Sequence, residues 1–373
     1  NQDPDSDLVV DVGTKCAAAD MDNQIWGRGR LAQFLDLNAT GQYIRRKYLR
    51  ITAELVSKPL LQELALKSIE AHAPKDHNAL RVQRGLDGDL NSRRRLTFLV
   101  GRSGNGKSVA CHKKLQQHVK AGGFALVLTD EHIAKATILA DALGAALRDL
   151  HPELVSSAGR DALNFCSPTE PLYLAVEDIN RSGQAANLAE KIYGWLKTGE
   201  REAGFPVQVI CPIWPDAWRA VDRRVKEAAA ANVIKAAAFS PPEGRAAVQR
   251  RAQTAGRSLS DMAASKISSE LGHDPLLIAI YRDPSKPPIA GRVIEEFIDD
   301  NLQRVAKESG DYVATDYRMA LRALATQMLL RRILNPRWSL LRKWSGLSEA
   351  DLKCIGHLVN DGQVLYLGGT SDR

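Results

Sequence analysis

The sequence of 373 residues lacks the features that define several protein classes. Its five cysteines form no CxxC pair and no metal-like cluster, so it predicts neither a disulfide framework nor a structural zinc site. No apolar run is long enough to span a bilayer, and the acidic N-terminal residues show no signal-peptide pattern. We therefore expect a protein of the reducing cytoplasm without a membrane segment. The initiator methionine is also missing, which favours a processed product or part of a longer protein.

Aromatic residues are few, at 6%, whereas the basic residues give a formal net charge of +7. Part of this charge lies in short runs at residues 45–47, 93–95 and 331–332. Basic runs of this kind bind nucleic acid in some proteins and form solvated faces in others. Neither an aromatic-interleaved motif nor a zinc motif accompanies them, so nucleic acid is an alternative partner that the sequence does not favour.

Short apolar runs alternate with helical patterns between residues 96 and 240. The runs predict strands at residues 96–100, 124–128, 172–176 and 207–210, with a further candidate at 233–239. This alternation is typical of a parallel sheet built from βαβ units, with helices on both faces. The predicted fold class is therefore α/β.

A complete phosphate-loop pattern, GRSGNGKS, occupies residues 101–108 directly after the first predicted strand. Its glycines let successive backbone N–H groups point inward, and the helix that follows adds its N-terminal dipole. Lys107 supplies a charge for the β- and γ-phosphates, and the Ser108 hydroxyl is placed to bind Mg²⁺. The residues predicted to contact ATP or ADP are Gly101, Ser103, Gly104, Asn105, Gly106, Lys107, Ser108 and Val109.

Two carboxylates, Glu177 and Asp178, follow the third predicted strand. A P-loop enzyme holds the magnesium shell with an acidic group at such a position and often orients water with a second one. We assign Glu177, with Ser108, to the metal, and Asp178, Glu177 and Lys107 to catalysis; an exposed acidic turn is the alternative. The order is reversed from the usual Asp-Glu, which predicts slow or absent hydrolysis. Asn180 either faces the γ-phosphate or begins the next helix.

The sequence divides into five predicted segments. Residues 1–40 form a lead-in, such as the tail of a truncated effector, and residues 41–95 form a helical linker. A P-loop nucleotide-binding domain covers residues 96–240, and a helical domain covers residues 241–309. Residues 310–373 combine helices with a hairpin around Asn360-Asp361-Gly362, which predicts a winged-helix domain.

Residues 271–278, LGHDPLLI, resemble the G-x-P motif of STAND ATPases, a signal-transducing class related to AAA+ proteins. The resemblance implies that Pro275 packs against the adenine, at the junction of the nucleotide and helical domains. Residues 43–46, YIRR, resemble the Y-x-x-R segment before the P-loop of such proteins, which implies that Arg46 lines the pocket. A basic helix start is the alternative for Arg46. His357 precedes the wing, unlike the family's histidine, so we expect a packing or surface role.

This resemblance implies an ATP/ADP-dependent switch of the kind that serves prokaryotic antiviral defence. ADP would hold the domains closed, and exchange for ATP would open them and allow self-association into a homo-oligomer. The trigger, such as a phage protein, and the effector would both lie outside this chain. The alternative function is an AAA+ initiator or loader, which would bind DNA through a winged helix with an affinity that falls steeply with salt.

Overall fold

The computed structural model describes residues 6–19, 27–37, 39–51, 54–74, 82–91, 95–177, 179–180, 184–199, 206–281, 283, 286–333, 336, 338–361 and 364–365. Five helices of these segments precede the first strand. They are α1 (Ser6–Ala18), α2 (Arg28–Leu37), α3 (Ala39–Leu49), α4 (Lys58–Ala71) and α5 (Gly85–Asp89).

Five parallel strands form one sheet. They are β1 (Leu96–Val100), β2 (Phe124–Thr129), β3 (Leu172–Glu177), β4 (Val207–Ile213) and β5 (Val233–Lys235), in the spatial order β2-β3-β4-β1-β5. The strands lie where the apolar runs predict them, although β4 is longer and β5 shorter than the runs. Because all carboxyl ends of a parallel sheet share one edge, the loop after β1 emerges beside the end of β4, and the end of β3 lies one strand further along.

Helices cover both faces of the sheet, which confirms the predicted fold class. Phe98, Leu126 and Leu174 pack toward one group of helices, while Leu99 and Val127 pack toward the other. Because both faces are buried, each strand is a continuous apolar run in the sequence. The helices between the strands are α6 (Lys107–Lys120), α7 (Asp130–Lys135), α8 (Leu139–Leu150), α9 (Ala158–Asn164), α10 (Ala185–Gly199), α11 (Pro215–Ala220) and α12 (Arg223–Ala229).

Helix α4 covers the outer edge of the sheet, beside β2. Its residues Leu61 and Leu64 are fully buried in the main core. The Ser68 hydroxyl accepts a hydrogen bond of 3.0 Å from the backbone N–H of Val127 in β2. A backbone donor of the edge strand is therefore satisfied by a side chain instead of water.

The C-terminal part of the described chain is helical. Helices α13 (Pro241–Thr254), α14 (Asp261–Glu270), α15 (Pro275–Ile280) and α16 (Ala290–Ser309) follow the sheet and share an apolar core. Helices α17 (Ala314–Arg331), α18 (Trp338–Leu341) and α19 (Glu349–Asp361) pack with α16 around a second core. His357 lies in α19 and forms a hydrogen bond of 2.9 Å with the hydroxyl of buried Tyr317, in keeping with a packing role.

The hairpin predicted around Asn360-Asp361-Gly362 needs a correction. Asn360 and Asp361 are the last residues of α19 and not part of a turn. The Arg304 guanidinium donates hydrogen bonds of 2.7 and 2.9 Å to the two carboxylate oxygens of Asp361, which fixes this helix end against α16. The rest of the predicted wing, residues 362–363 and 366–373, lies outside the described residues. Among the described helices, none combines the length and apolar character needed to cross a bilayer.

Candidate nucleotide-binding site

The loop between β1 and α6 has the backbone geometry of a phosphate-binding loop. Gly104 and Gly106 adopt φ angles of +82° and +74°, which side chains other than glycine rarely tolerate. Gly101 lies so close to β5 that an added Cβ would sit 2.4 Å from the carbonyl oxygen of Ala236. Helix α6 begins at Lys107, so its free N–H groups face the space enclosed by the loop. This is the P-loop architecture.

Lys107 is buried at the base of this loop, with only 7% of its surface exposed. Its ammonium donates hydrogen bonds of 2.8 and 2.7 Å to the backbone carbonyls of Gly101 and Arg102. Burial lowers the pKa of Lys107 to about 8, because water is excluded from the charged group. A phosphate group in the loop would supply the counter-charge that this ammonium lacks.

A cavity of about 360 Å³ opens in front of the loop. The P-loop, the carboxyl ends of β3 and β4, the segment before β1 and the start of α15 all contribute to its walls. The cavity brings together eight of the residues predicted from the sequence: Ser103, Gly104, Gly106, Lys107, Ser108, Val109, Glu177 and Pro275. Asp178 lies outside the described residues. Gly101 and Asn105 belong to the loop and contact Ala236, the residue after β5.

The ends of β3 and β4 are joined by Asn180. Its side-chain amide donates to the Pro212 carbonyl at 3.2 Å, and its side-chain oxygen accepts from the Trp214 N–H at 2.7 Å. Asn180 also lines the cavity, close in sequence to Glu177. The next helix, α10, starts only at Ala185, so Asn180 is a brace between two strand ends and does not begin that helix.

The opposite wall of the cavity is apolar. It is formed by Pro74, Val82, Phe239, Pro275, Leu276 and Ala279. Pro275 begins α15, whose N-terminal N–H groups are capped by the Asp274 carboxylate. Leu276 lies against the P-loop, because a Cβ added to Gly104 would approach the Leu276 Cβ to 2.8 Å. The helical region therefore contacts the phosphate loop directly.

Arg84 is a residue of this site that the sequence analysis missed. Its guanidinium donates hydrogen bonds of 2.8 Å to the Asn105 carbonyl and 2.9 Å to the Ala237 carbonyl, and it lies over the Phe239 ring. Burial lowers the pKa of Arg84, whereas Glu243 and Asp87 oppose this effect. The available signal was the short helical pattern of α5, shortly before β1, in a stretch that the sequence predicted only as a helical linker.

Arg46 lies elsewhere in the structure. It forms ion pairs of 3.3 Å with Glu54 and 2.7 Å with Glu153, and it does not line the described cavity. His151 contacts the same Glu54 carboxylate at 2.8 Å. These pairs join α3 to the loop between α8 and α9, so the structure does not bring Arg46 to the phosphate loop.

Neither a protein-family model nor a curated protein matches the sequence. Solved structures share a partial likeness. The Walker-type ATPase of Pyrococcus abyssi is 14% identical, with a TM-score of 0.36 over 75% of this chain and 92% of that chain. The Orc1 protein of Aeropyrum pernix, solved in complex with DNA, is 11% identical, with a TM-score of 0.39 over 79% and 86%. AMPPCP-bound DnaA from Aquifex aeolicus is 12% identical, with a TM-score of 0.35 over 81% and 89%. Because these TM-scores are low, the fold class is established by the strand topology described above and not by these similarities.

Proposed function

We propose that the chain is the switch core of a STAND-type ATPase, which binds ATP or ADP with Mg²⁺ in the cytoplasm. One observation carries the proposal: Pro275 and Leu276, at the start of α15, share a cavity with the P-loop. A nucleotide in this cavity would touch both the sheet and the helical region. Its phosphates can therefore influence how these two parts of the chain are arranged.

The cavity separates a charged side from an apolar side. Lys107 and the α6 N-terminus would bind the phosphates, while Pro275, Val82 and Phe239 would enclose the base. The exposed Ser108 hydroxyl and the half-buried Glu177 carboxylate supply the oxygen ligands that Mg²⁺ prefers. Asp178 would orient water for a slow hydrolysis that resets the switch.

The switch would work by a shift of populations. ADP would favour the closed arrangement, in which Leu276 contacts the P-loop. ATP would favour an open arrangement, and it can do so only by binding the open form more tightly than the closed one. The open form would associate into a homo-oligomer and bring effectors together. The trigger, such as a phage protein, would be sensed outside this chain.

The nucleotide retained by the purified protein tests this proposal. The protein is denatured, and the released nucleotide is separated by ion exchange and quantified. We expect about one ADP per wild-type chain and none for Lys107→Ala. An empty wild-type site that exchanges ATP freely and hydrolyses it rapidly would argue against a locked switch.

An AAA+ initiator or loader is the second candidate, favoured by the basic character of the chain. The net charge is +7, and residues 318–343 contain seven basic and no acidic residues. Such a protein would bind duplex DNA with an affinity that falls steeply between low and physiological salt. Fluorescence anisotropy with a labelled duplex at several salt concentrations separates the two candidates, because the switch core requires no DNA.

A further inference from the structure

The outward face of α17 carries apolar side chains that no other part of the described chain covers. Leu329 and Leu330 are 74% and 73% exposed, and Met319 is 55% exposed. Arg322 and Arg332 flank them, and neither forms an ion pair with a described residue. We call these five residues the α17 patch.

The composition of the α17 patch restricts the partner that fits it. Exposed large apolar side chains beside unpaired arginines are typical of protein interfaces. The surrounding segment, residues 318–343, has seven basic and no acidic residues, which favours an acidic partner. A phosphate backbone would pair with the arginines but would leave the two leucines in water. An acidic helix with exposed apolar residues satisfies both features.

Helix α1 has this complementary character. Residues 1–18 contain four aspartates, at positions 3, 5, 7 and 11, and one basic residue, Lys15, which forms an exposed ion pair of 2.7 Å with Asp11. Val9 and Val10 of α1 are 37% and 68% exposed. Within the described chain, none of the four apolar cores includes a residue of α1. The helix therefore presents exposed valines that no described core covers, within a stretch of net acidic sequence.

We propose that α1 of one copy docks on the α17 patch of a second copy. The exposure of Leu329 and Leu330 shows that α1 leaves the patch uncovered within its own chain. Two different surfaces meet in this contact, so a docked pair keeps one free α1 and one free patch for further copies. Such a head-to-tail contact generates a ring or a filament. The inference specifies the surface for the self-association in the proposed function, and it rests on that function.

Charge reversal on either side tests the docking. The double variant Arg322→Glu/Arg332→Glu reverses the charge of the patch, and Asp7→Lys/Asp11→Lys reverses that of α1. We expect the wild type to form oligomers with a non-hydrolysable ATP analogue and Mg²⁺ in sedimentation velocity. Each variant should need at least about tenfold higher concentration to associate. Arg245→Glu/Lys266→Glu, on the exposed surface of α13 and α14, is the matched control and should associate like the wild type.

A mixture of the two variants gives the decisive result. In the mixture the aspartates of one variant's α1 meet the arginines of the other's patch, and the introduced lysines meet the introduced glutamates. The mixture should therefore associate at concentrations where neither variant alone does. Monomers in the mixture, oligomers in either variant alone, or a wild type that stays monomeric up to about 100 µM would overturn the proposal. Duplex DNA binding that only the patch variant loses would also overturn it, in favour of nucleic acid.

The retained-nucleotide assay distinguishes a failure of the docking proposal from a failure of the proposed switch. Variants that retain ADP but associate regardless of charge would contradict the docking surface and leave the proposed switch supported. Variants that retain no nucleotide but associate only when mixed would contradict the proposed switch and leave the docking surface supported.

Discussion

Arg84 and Asn105 are joined by a hydrogen bond of 2.8 Å between the guanidinium and the backbone carbonyl of the phosphate loop. Through its second bond, to the Ala237 carbonyl, Arg84 ties the loop to the residues after β5. We expect Arg84→Ala to weaken ADP binding about tenfold, or ~1.4 kcal/mol, because the loop loses this support. Isothermal titration calorimetry measures the change. Arg245→Ala, an arginine on the exposed surface of α13, is the control, and equal affinities of both variants would contradict the role of Arg84.

The contact between Gly104 and Leu276 predicts the effect of a substitution at Gly104, for which Gly122 provides a matched control. Gly104→Ala introduces a side chain at φ +82° and 2.8 Å from Leu276, whereas Gly122→Ala introduces one at φ +86° in open space. We expect Gly104→Ala to lower the free energy of unfolding by ~3 kcal/mol and Gly122→Ala by ~1 kcal/mol. Urea denaturation measures both. Combining Gly104→Ala with Leu276→Gly, which removes the contacted Cβ, should recover part of the loss relative to Leu276→Gly alone, and no recovery would place the strain elsewhere.

The lowered pKa of Lys107 predicts proton uptake when nucleotide binds. In the free protein the pKa is about 8, so the amine is mostly neutral at pH 9. Bound phosphates raise this pKa, so the site takes up a proton, and affinity falls as pH rises above 8. Calorimetry in buffers of different ionisation enthalpy should give about 0.9 proton at pH 9 and about 0.1 at pH 7. Lys107→Arg, which stays protonated, should show no uptake at either pH; equal uptake in both proteins would contradict the assignment.

The position of Glu177 in the cavity predicts how nucleotide affinity depends on Mg²⁺. We expect Mg²⁺ to strengthen ATP binding to the wild type about tenfold, and Glu177→Gln to lose most of this gain because it removes a charged oxygen ligand. Titrations with Mg²⁺ and with EDTA measure the difference. Asp178→Asn is the neighbouring control and should keep the gain while slowing hydrolysis. The reverse pattern in the two variants would exchange the roles assigned to these carboxylates.

The sequence was sufficient to predict those parts of the site that depend on local backbone conformation and burial. The strands and the glycines at 104 and 106 were predictable because burial on two faces and positive φ angles leave a direct trace in residue type. Arg84 was not predictable in this way, since its partners Asn105 and Ala237 lie 21 and 153 residues away along the chain. The hairpin prediction depended on an Asn-Asp-Gly turn signal, which the ion pair between Arg304 and Asp361 overrides at its first two positions.

Arg46 matches the Y-x-x-R segment in sequence, but it does not line the cavity as the family resemblance implies. The ion pairs with Glu54 and Glu153 predict that Arg46→Ala lowers the free energy of unfolding by ~1 kcal/mol, because the buried Glu54 carboxylate loses a cation. ADP affinity should stay within about twofold of the wild type. Urea denaturation and calorimetry on the same variant measure both quantities. A tenfold loss of ADP affinity with unchanged stability would instead support the pocket role implied by the family resemblance.

The hydrogen bond between Ser68 and Val127 affects how copies of this protein can assemble. An open strand edge recruits strands from other molecules, and such growth is hard to reverse. At the β2 edge a helix already supplies the bonding partner, so a neighbouring chain cannot extend the sheet there. Copies that meet on this side must use side chains on helices, and contacts of that kind can be released again when the bound nucleotide changes.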